Sequence, residues 1–411
     1  MTLEDRGRGS WARHEFALLL AILVAVLAIT LLDPQHNYWN QAGRSAVEIQ
    51  RQTSMLGIFA LGAAVVVIAG GIDLSQGAVI AFSGTICATT LVLLAPEEMR
   101  SAKPLSTAVL AAGVCASLVS GLLIGTLHAW LITVIRLPPF VATLSTLVGL
   151  RSLGRILCEN VTAANLGGRS TQIQIYDKGF RELGRDPQIP FLLFVVLAAL
   201  IWVMLSRTVI GRHIHALGGN EAAARLSGIR TDRVKWLAYT ISAVLASLAG
   251  VLYICDQSVA DPQTLGRGYE LNAIAAAVVG GCSLAGGVGT IPGTVLGALF
   301  LRVVIDGVAK IIKTGADVYE GLIVGGVVIL AVAFTQTASG GGSVRRFFAG
   351  PLGWAMLGVI AVGGAVAAAV WLPTRSSPAH GWYAVAAGLA LAGVLAGLDR
   401  LRGGWVNATR R

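Results

Sequence analysis

The sequence predicts an all-α, polytopic membrane protein with about ten transmembrane helices in its core and a two-helix hairpin at its C-terminus. The first observation is composition: 55% of the 411 residues are hydrophobic and 13% are charged, about half the roughly 25% charge of soluble domains. The second is a mean hydropathy of +0.74, too high for one soluble core to bury the apolar residues. The third is that these residues form long runs between short basic connections, as bilayer-spanning helices require.

Ten apolar runs make up the predicted core. Most of them approach the roughly 20 residues that a helix needs to cross a bilayer. The fourth run is too long for one straight span and contains Gly121 and Gly125, so we expect a span with a bent extension. The polar stretch after the fifth run, 158–189, is expected to be an external loop. The runs are 16–32, 55–70, 77–94, 106–135, 140–157, 190–205, 236–254, 270–281, 291–312 and 318–334.

The predicted domain boundaries follow the same pattern. Residues 1–335 form the core, and 336–350, rich in Gly and Ser, form a cytoplasmic linker. Residues 351–411 carry the appended hairpin, with apolar runs at 352–372 and 382–398, and end in a basic tail.

Basic residues orient the chain, because Lys and Arg are retained on the cytoplasmic side. They precede the first run, dominate 206–235 and end the chain, which places both termini in the cytoplasm and leaves the first span uncleaved. The exceptions are Lys310 and Lys313, which the span count places outside. Cys158 and Cys255 also fall outside, so a disulfide between them stays open. The formal charge of +10 is spread over these connections, so no nucleic-acid partner is expected.

One internal repeat is visible. GGIDLSQG at 70–77 and GGCSLAGG at 280–287 share their glycines and leucine, and this alignment pairs Asp73 with Ser283. Paired glycines break helices, and irregular backbone at membrane depth is tolerated only where protein or water satisfies it. The two breaks therefore indicate a pathway, although small residues also permit close helix packing.

No energy-converting or catalytic motif accompanies this pattern. The sequence contains no GxxxxGK[ST] loop, no HExxH and no Cys/His cluster with metal spacing. We therefore expect a chain that is not an enzyme, holds no cofactor or metal, and does not hydrolyse ATP itself.

A short surface helix is predicted at 220–229. Asn220 is a good N-cap, Glu221 adds an acid in the first turn, and Gly228 suits a C-terminal stop. Two exposed turns are marginal alone, so this helix indicates docking to a partner; an amphipathic helix lying on the lipid headgroups is the other interpretation.

Four segments together carry a family resemblance. GGIDLSQG, FVATL followed by Arg151, GGNEAAARLSGI, and GYELNAIAAAVVGGCSLAGGVGTIPGTVLGAL resemble the permease subunits of bacterial ABC importers for monosaccharides, the ribose and xylose type, over about 54–334. The chain departs from that family at Ile124, where an Asn is usual, at Ser152, where a Gly is usual, and in the terminal hairpin.

The resemblance implies an inner-membrane permease that works with a cytoplasmic ABC ATPase, a periplasmic sugar-binding protein and a second permease chain, identical or a sister. It also implies that the short helix is the coupling helix received by the ATPase. Its candidate residues are Gly218, Gly219, Asn220, Glu221, Ala222, Ala223, Arg225, Leu226, Ser227, Gly228 and Ile229.

The expected function is import of a monosaccharide by alternating access. A sugar is uncharged, so hydrogen-bonding side chains should line its route. The alternatives are the same machine carrying branched-chain amino acids or nucleosides, an ion-coupled secondary transporter, and a non-transporting membrane scaffold. The candidate pathway residues are Gly70, Gly71, Asp73, Ser75, Gln76, Glu270, Asn272, Gly280, Gly281 and Ser283.

Overall fold

The computed structural model describes residues 3–33 and 35–311, together with 321, 324–326, 329, 355–364, 385–386, 389–390 and 392–393. Between 3 and 311 the chain is almost entirely helical, with one pair of two-residue strands. The elements are α1 (Leu3–Leu32), α2 (Asn37–Asn40), α3 (Ala42–Ile68), α4 (Gln76–Leu94), α5 (Pro96–Ser101), α6 (Thr107–Thr133), α7 (Pro139–Asn165), β1 (Ile173–Gln174), α8 (Lys178–Arg185), α9 (Gln188–Arg207), α10 (Val209–Gly219), α11 (Glu221–Leu226), α12 (Thr231–Gln257), β2 (Val259–Ala260), α13 (Tyr269–Val279) and α14 (Ile291–Ile311).

The predicted all-α membrane fold is confirmed. Within the described residues, eight helices are long and apolar enough to cross a membrane. They are Glu15–Leu32 of α1 and the whole of α3, α4, α6, α7, α9, α12 and α14.

The centre of the bundle is built from α3, α4 and α12, which are largely buried. Against them packs α6, a single 27-residue helix, so the predicted bent extension is wrong. Gly121 and Gly125 serve close packing instead: a Cβ added at Gly125 would lie 2.6 Å from the Cα of Thr240 on α12. A helix of this length, about 40 Å, fits a bilayer by tilting.

The predicted span at 270–281 is also corrected. The helix α13 has 11 residues and is about 16 Å long, too short to cross a bilayer. The segment before it, 261–268, is irregular and reaches Gly77 at the start of α4, where a Cβ added at Gly266 would lie 2.7 Å from the Gly77 carbonyl oxygen. This stretch of the chain therefore crosses the bundle as part irregular backbone and part helix.

The stretch predicted as an external loop has structure of its own. α7 continues to Asn165, and β1 pairs antiparallel with β2, opposing Ile173 to Ala260. Asp177 caps α8 by accepting from Phe180 N at 2.7 Å, and its other oxygen accepts from Leu105 N at 2.8 Å. This small cap closes the bundle at the end where α12 finishes.

The structure describes three of the residues that the span count placed outside: Lys310, Cys158 and Cys255. Lys310 forms an ion pair with Asp306 at 2.6 Å and lies 4.3 Å from the centre of the Tyr38 ring. Cys158 and Cys255 are both free and fully buried. The structure therefore contains no disulfide between them.

The chain divides into two compact units, Met1–Gln336 and Thr337–Arg411. In the second unit, Ala355–Gly364 is a short apolar helix inside the predicted run 352–372. Lys313, the linker 336–350, and most of the predicted runs 318–334 and 382–398 lie outside the described residues.

Candidate translocation and coupling sites

The predicted surface helix is present as α11. Asn220 Oδ1 accepts from Ala223 N at 3.0 Å, and Gly228 (φ +83°) ends the helix in the left-handed region. The N-cap and the glycine stop expected from the sequence are therefore both found. Gly218 and Gly219 are the last two residues of α10 and precede the N-cap.

Ion pairs hold α11 against the start of α12. Lys235 Nζ donates to Glu221 Oε1 at 2.7 Å, and Arg225 donates to the same oxygen at 3.3 Å. The hydrogen bond from Lys235 is the main cause that lowers the pKa of Glu221 below its usual 4.5. Glu221 is therefore ionised at neutral pH.

One face of α11 is left uncovered by the described residues. Ala224 is buried and fixes the inner face, whereas the Leu226 side chain is 90% exposed. A cavity of about 720 Å³ opens beside the helix, and its lining includes Arg136, Glu221 and Lys235. A projecting apolar side chain next to a charged recess is a shape that another protein can engage.

The first helix break places Asp73 inside the bundle. Its carboxyl group is 2% exposed. Oδ1 accepts from Ser75 N at 2.9 Å and Ser75 Oγ at 2.5 Å, and Oδ2 accepts from Ser242 Oγ at 2.8 Å. Gln76 Nε2 donates to the same Ser242 hydroxyl at 2.8 Å. The structure thus brings three predicted pathway residues together and adds Ser242 from α12.

Further polar side chains, which no sequence motif marks, surround this cluster. Thr143 Oγ1 accepts from Leu74 N at 3.2 Å. His128 is fully buried, and its Nε2 lies 2.6 Å from Thr146 Oγ1. Its ring centre lies 6.3 Å from that of Tyr239. Isolated polar residues inside apolar helices were the available signal, because lipid penalises them and protein partners are expected.

Glu270 lies against the start of α4. A Cβ added at Gly77 would overlap a carboxylate oxygen of Glu270. That oxygen, Oε2, is buried and has no hydrogen-bond partner among the described residues. Gly77 is four residues after Asp73, so the two predicted acidic positions lie in one region of the bundle.

Arg151 on α7 fixes the irregular segment that leads to Glu270. Its guanidinium donates to the carbonyl oxygens of Pro262 at 3.2 Å, Gln263 at 3.3 Å and Leu265 at 3.0 Å. Arg151 also attracts the Glu270 carboxylate. Asn272, the other predicted polar residue of this half, is buried on α13.

The second helix break lies at the same end of the bundle as α11. Gly280 packs directly on the backbone of Gly293 at the start of α14. Ser283 N donates to Val288 O at 2.9 Å, and Ser283 Oγ accepts from Ala285 N at 3.2 Å. In the described part of the chain, the hydrogen bonds of Ser283 stay within its own turn.

The two breaks begin with the same helix-ending motif, but in a different register from the sequence alignment. Gly71 N donates to Val66 O at 2.9 Å, and Cys282 N donates to Ala277 O at 2.9 Å. These are the six-to-one bonds of a Schellman motif, with Gly70 (φ +80°) and Gly281 (φ +93°) as the left-handed residues. Gly70 therefore corresponds to Gly281, and the pairing of Asp73 with Ser283 is wrong by one residue.

Metal ligands are not gathered anywhere in the described residues: no group of three or more His, Cys, Asp or Glu side chains is placed to hold an ion. The polar cluster around Asp73 is instead closed by hydroxyl and amide donors. Its chemistry is hydrogen bonding.

Comparison with known proteins adds a family. The family described as branched-chain amino acid transport system / permease component matches residues 45–332. The ribose import permease protein RbsC of Escherichia coli (strain K12) is 37% identical over 313 residues, which cover 76% of this chain and 90% of that protein. RbsC of Bacillus subtilis (strain 168) is 33% identical over 312 residues, 76% of this chain and 88% of that protein.

A third relative is named for a different sugar. The galactose/methyl galactoside import permease protein MglC of Haemophilus influenzae is 31% identical over 323 residues, 77% of this chain and 92% of that protein. No solved structure matches the chain.

Proposed function

The chain belongs to the family of branched-chain amino acid transport system / permease components, and on that premise we propose that it is the membrane-spanning subunit of an ATP-driven importer for a monosaccharide. It is a multi-pass membrane protein. The observation that carries the proposal is α11, a capped and ion-paired helix with an uncovered outer face, on a chain whose sequence has no nucleotide-binding loop. The family name covers amino acid transport; the relatives named for ribose and galactose favour a sugar.

The partner at α11 is a cytoplasmic ABC ATPase. The segment 220–229 presents Ala222, Ala223, Leu226 and Ser227 outward, while Ala224 and the Glu221 to Lys235 ion pair anchor its other side. A docked ATPase would cover Leu226 and supply the energy that this chain cannot obtain from ATP itself. The α11 end of the bundle then faces the cytoplasm of the bacterial inner membrane. The N-terminal helix starts at the same end, because Glu15 of α1 accepts from the Thr290 hydroxyl there.

A second permease chain is supported by α7. Ser145, Gly149, Ser152 and Arg155 are all exposed along this apolar helix, although lipid disfavours polar and charged side chains. Ser145 donates to Val141 O within α7 and Arg155 pairs with Glu159, so a second copy facing this side across a hydrated route would shield these groups from lipid. A sugar-binding protein would deliver the ligand at the opposite end, where β1, β2 and α8 form the cap.

The sugar route involves the two helix breaks and the polar residues between them. Asp73, Ser75 and Gln76 from the first break, and Glu270 and Asn272 on α13, provide hydrogen-bonding groups suited to sugar hydroxyls. Gly70, Gly71, Gly280 and Gly281 allow the helices to end there. Ser283 belongs to the turn that joins α13 to α14.

The test is uptake by vesicles that contain the chain together with its ATPase and binding protein. We expect sugar uptake that requires ATP on the side of the membrane where the ATPase is bound. Collapse of the proton and sodium gradients should leave this uptake unaffected. Competition by unlabelled sugars, but not by leucine or a nucleoside, should reduce the signal. Uptake that follows an ion gradient without ATP would support the ion-coupled alternative, with Asp73 and Glu270 as its carboxylates.

A further inference from the structure

Four glycines from three distant segments meet at one point, which we name the glycine junction: Gly70, Gly218, Gly286 and Gly287. Gly70 begins the first break, Gly218 lies in the last turn of α10, and the other two lie in the second break. A Cβ added at Gly218 would overlap the carbonyl oxygen of Ile68 and lie 2.5 Å from Gly287 N. The backbones therefore touch with no side chain between them.

The second break closes the contact from the other side. A Cβ added at Gly286 would lie 2.6 Å from Gly218 O and 2.7 Å from the Cα of Gly70. Gly287 N donates to Ile68 O at 2.8 Å. Gly286 and Gly287 have φ values of +86° and +73°, which only glycine adopts without strain. One backbone hydrogen bond thus joins the second break to the end of α3, and van der Waals contact joins both breaks to α10.

The junction is next to the helix that the partner engages. Gly218 lies two residues before Asn220, the N-cap of α11, and α10 runs directly into that cap. Packed backbone without a flexible side chain between its parts does not deform gradually. A displacement of α11 that carries Gly218 must therefore carry the first and second breaks with it.

We propose that the glycine junction transmits movement of α11 to both helix breaks at once, and that Gly218, Gly286 and Gly287 are positioning residues for transport. This inference rests on the proposed function, since it needs an ATPase that moves α11. One backbone contact thus couples both halves of the permease to the same movement of α11.

The chain offers a matched pair of variants, Gly218→Ala and Gly43→Ala. Gly218 lies in the last turn of α10 and Gly43 in the first turn of α3, so both changes raise helix propensity at a helix terminus. A Cβ at Gly43 would meet nothing within 4 Å, whereas one at Gly218 would meet backbone of both other segments. The full complex with its ATPase and binding protein is reconstituted, and sugar molecules imported per ATP hydrolysed are measured.

The junction predicts that Gly218→Ala lowers sugar imported per ATP by about tenfold, 1.4 kcal/mol of coupling, while ATPase association stays intact. Gly43→Ala should stay within about twofold of the wild type. A purely structural defect would lower ATP hydrolysis and uptake together. Equal transport ratios in the two variants would overturn the proposal.

A second measurement keeps the proposal testable if Gly218→Ala fails to fold. Spin labels are placed in the complete complex at Ala216→Cys on α10 and Ala285→Cys in the second break, both exposed positions, with the exposed Cys115 replaced by Ser. A third label at Tyr176→Cys reports on the cap.

On ATP binding, the distance between positions 216 and 285 should stay constant while both move relative to position 176. Separation of 216 from 285 would overturn the junction and leave the proposed function intact. If ATP moves none of the labels although the ATPase is bound, ATP-driven motion of α11 is contradicted. The proposed role of the junction is then overturned as well.

Discussion

The two helix breaks start alike and end differently. Each begins with a left-handed glycine, Gly70 or Gly281. The first break spans six residues to the start of α4. Asp73 and Ser75 within it are buried and bonded to each other, and Asp73 also accepts from Ser242 on α12. The second spans ten residues to the start of α14, and its Ser283 turn is bonded mainly to itself.

The difference shows that the residues after the glycine decide the role of a break. The carboxylate of Asp73 requires donors because an unsatisfied charge inside the bundle is costly, and Ser242 ties the first break to the centre of the fold. The second break contains no carboxylate that requires donors. It is attached through Gly280 on Gly293 and through the glycine junction, so local opening should occur there at a lower free energy.

The largest difference between the two breaks is expected at Asp73. Asp73→Leu leaves the Ser75 and Ser242 donors without their acceptor, at roughly 1–3 kcal/mol for each buried group, and should abolish uptake. Asp73→Asn, which still accepts a hydrogen bond, should reduce uptake modestly. Uptake is measured in cells with equal amounts of permease in the membrane.

The matched change in the second break is Ser283→Ala, which removes only a bond within its own turn. Uptake by this variant should remain near that of the wild type. A loss as large as that of Asp73→Leu would show that the two breaks are equivalent after all. Normal uptake by Asp73→Leu would make Asp73 a packing residue and remove it from the route.

A smaller effect is expected at Ser242. This hydroxyl on α12 bonds to both Asp73 and Gln76, so Ser242→Ala should lower the free energy of unfolding by roughly 1–3 kcal/mol. Ser247→Ala is the control, because its buried hydroxyl donates to Val244 O in its own helix. Thermal unfolding in detergent should rank wild type and Ser247→Ala together, above Ser242→Ala. The opposite order would mean that Ser242 does not hold the first break.

The sequence predicted those features that depend on neighbouring residues. Apolar runs define helices because lipid surrounds them, and the caps of α11 are local, since Asn220 bonds to Ala223 three residues later. The glycines at 70 and 281 likewise end helices through bonds within one turn.

Features that depend on distant contacts were missed. Nothing local distinguishes Gly218, which is enclosed by Ile68 and Gly287, from Gly219, which is open. Ser242 resembles any other serine in an apolar helix, and its partner Asp73 is 169 residues away. The sequence predicts a full span at α13 because no local sequence pattern marks the irregular segment before it, which Arg151 holds.

Co-purification of the ATPase with charge variants tests docking at α11. Glu221→Lys reverses the charge at the start of α11 and places it beside Lys235, and Leu226→Glu puts a carboxylate on the uncovered face. Leu284→Glu is the control, an exposed leucine at the same end of the bundle but outside α11. We expect both α11 variants to weaken association by at least about tenfold, 1.4 kcal/mol, with loss of uptake, and the control to retain its ATPase. Full co-purification and normal uptake by both α11 variants would contradict docking at this helix.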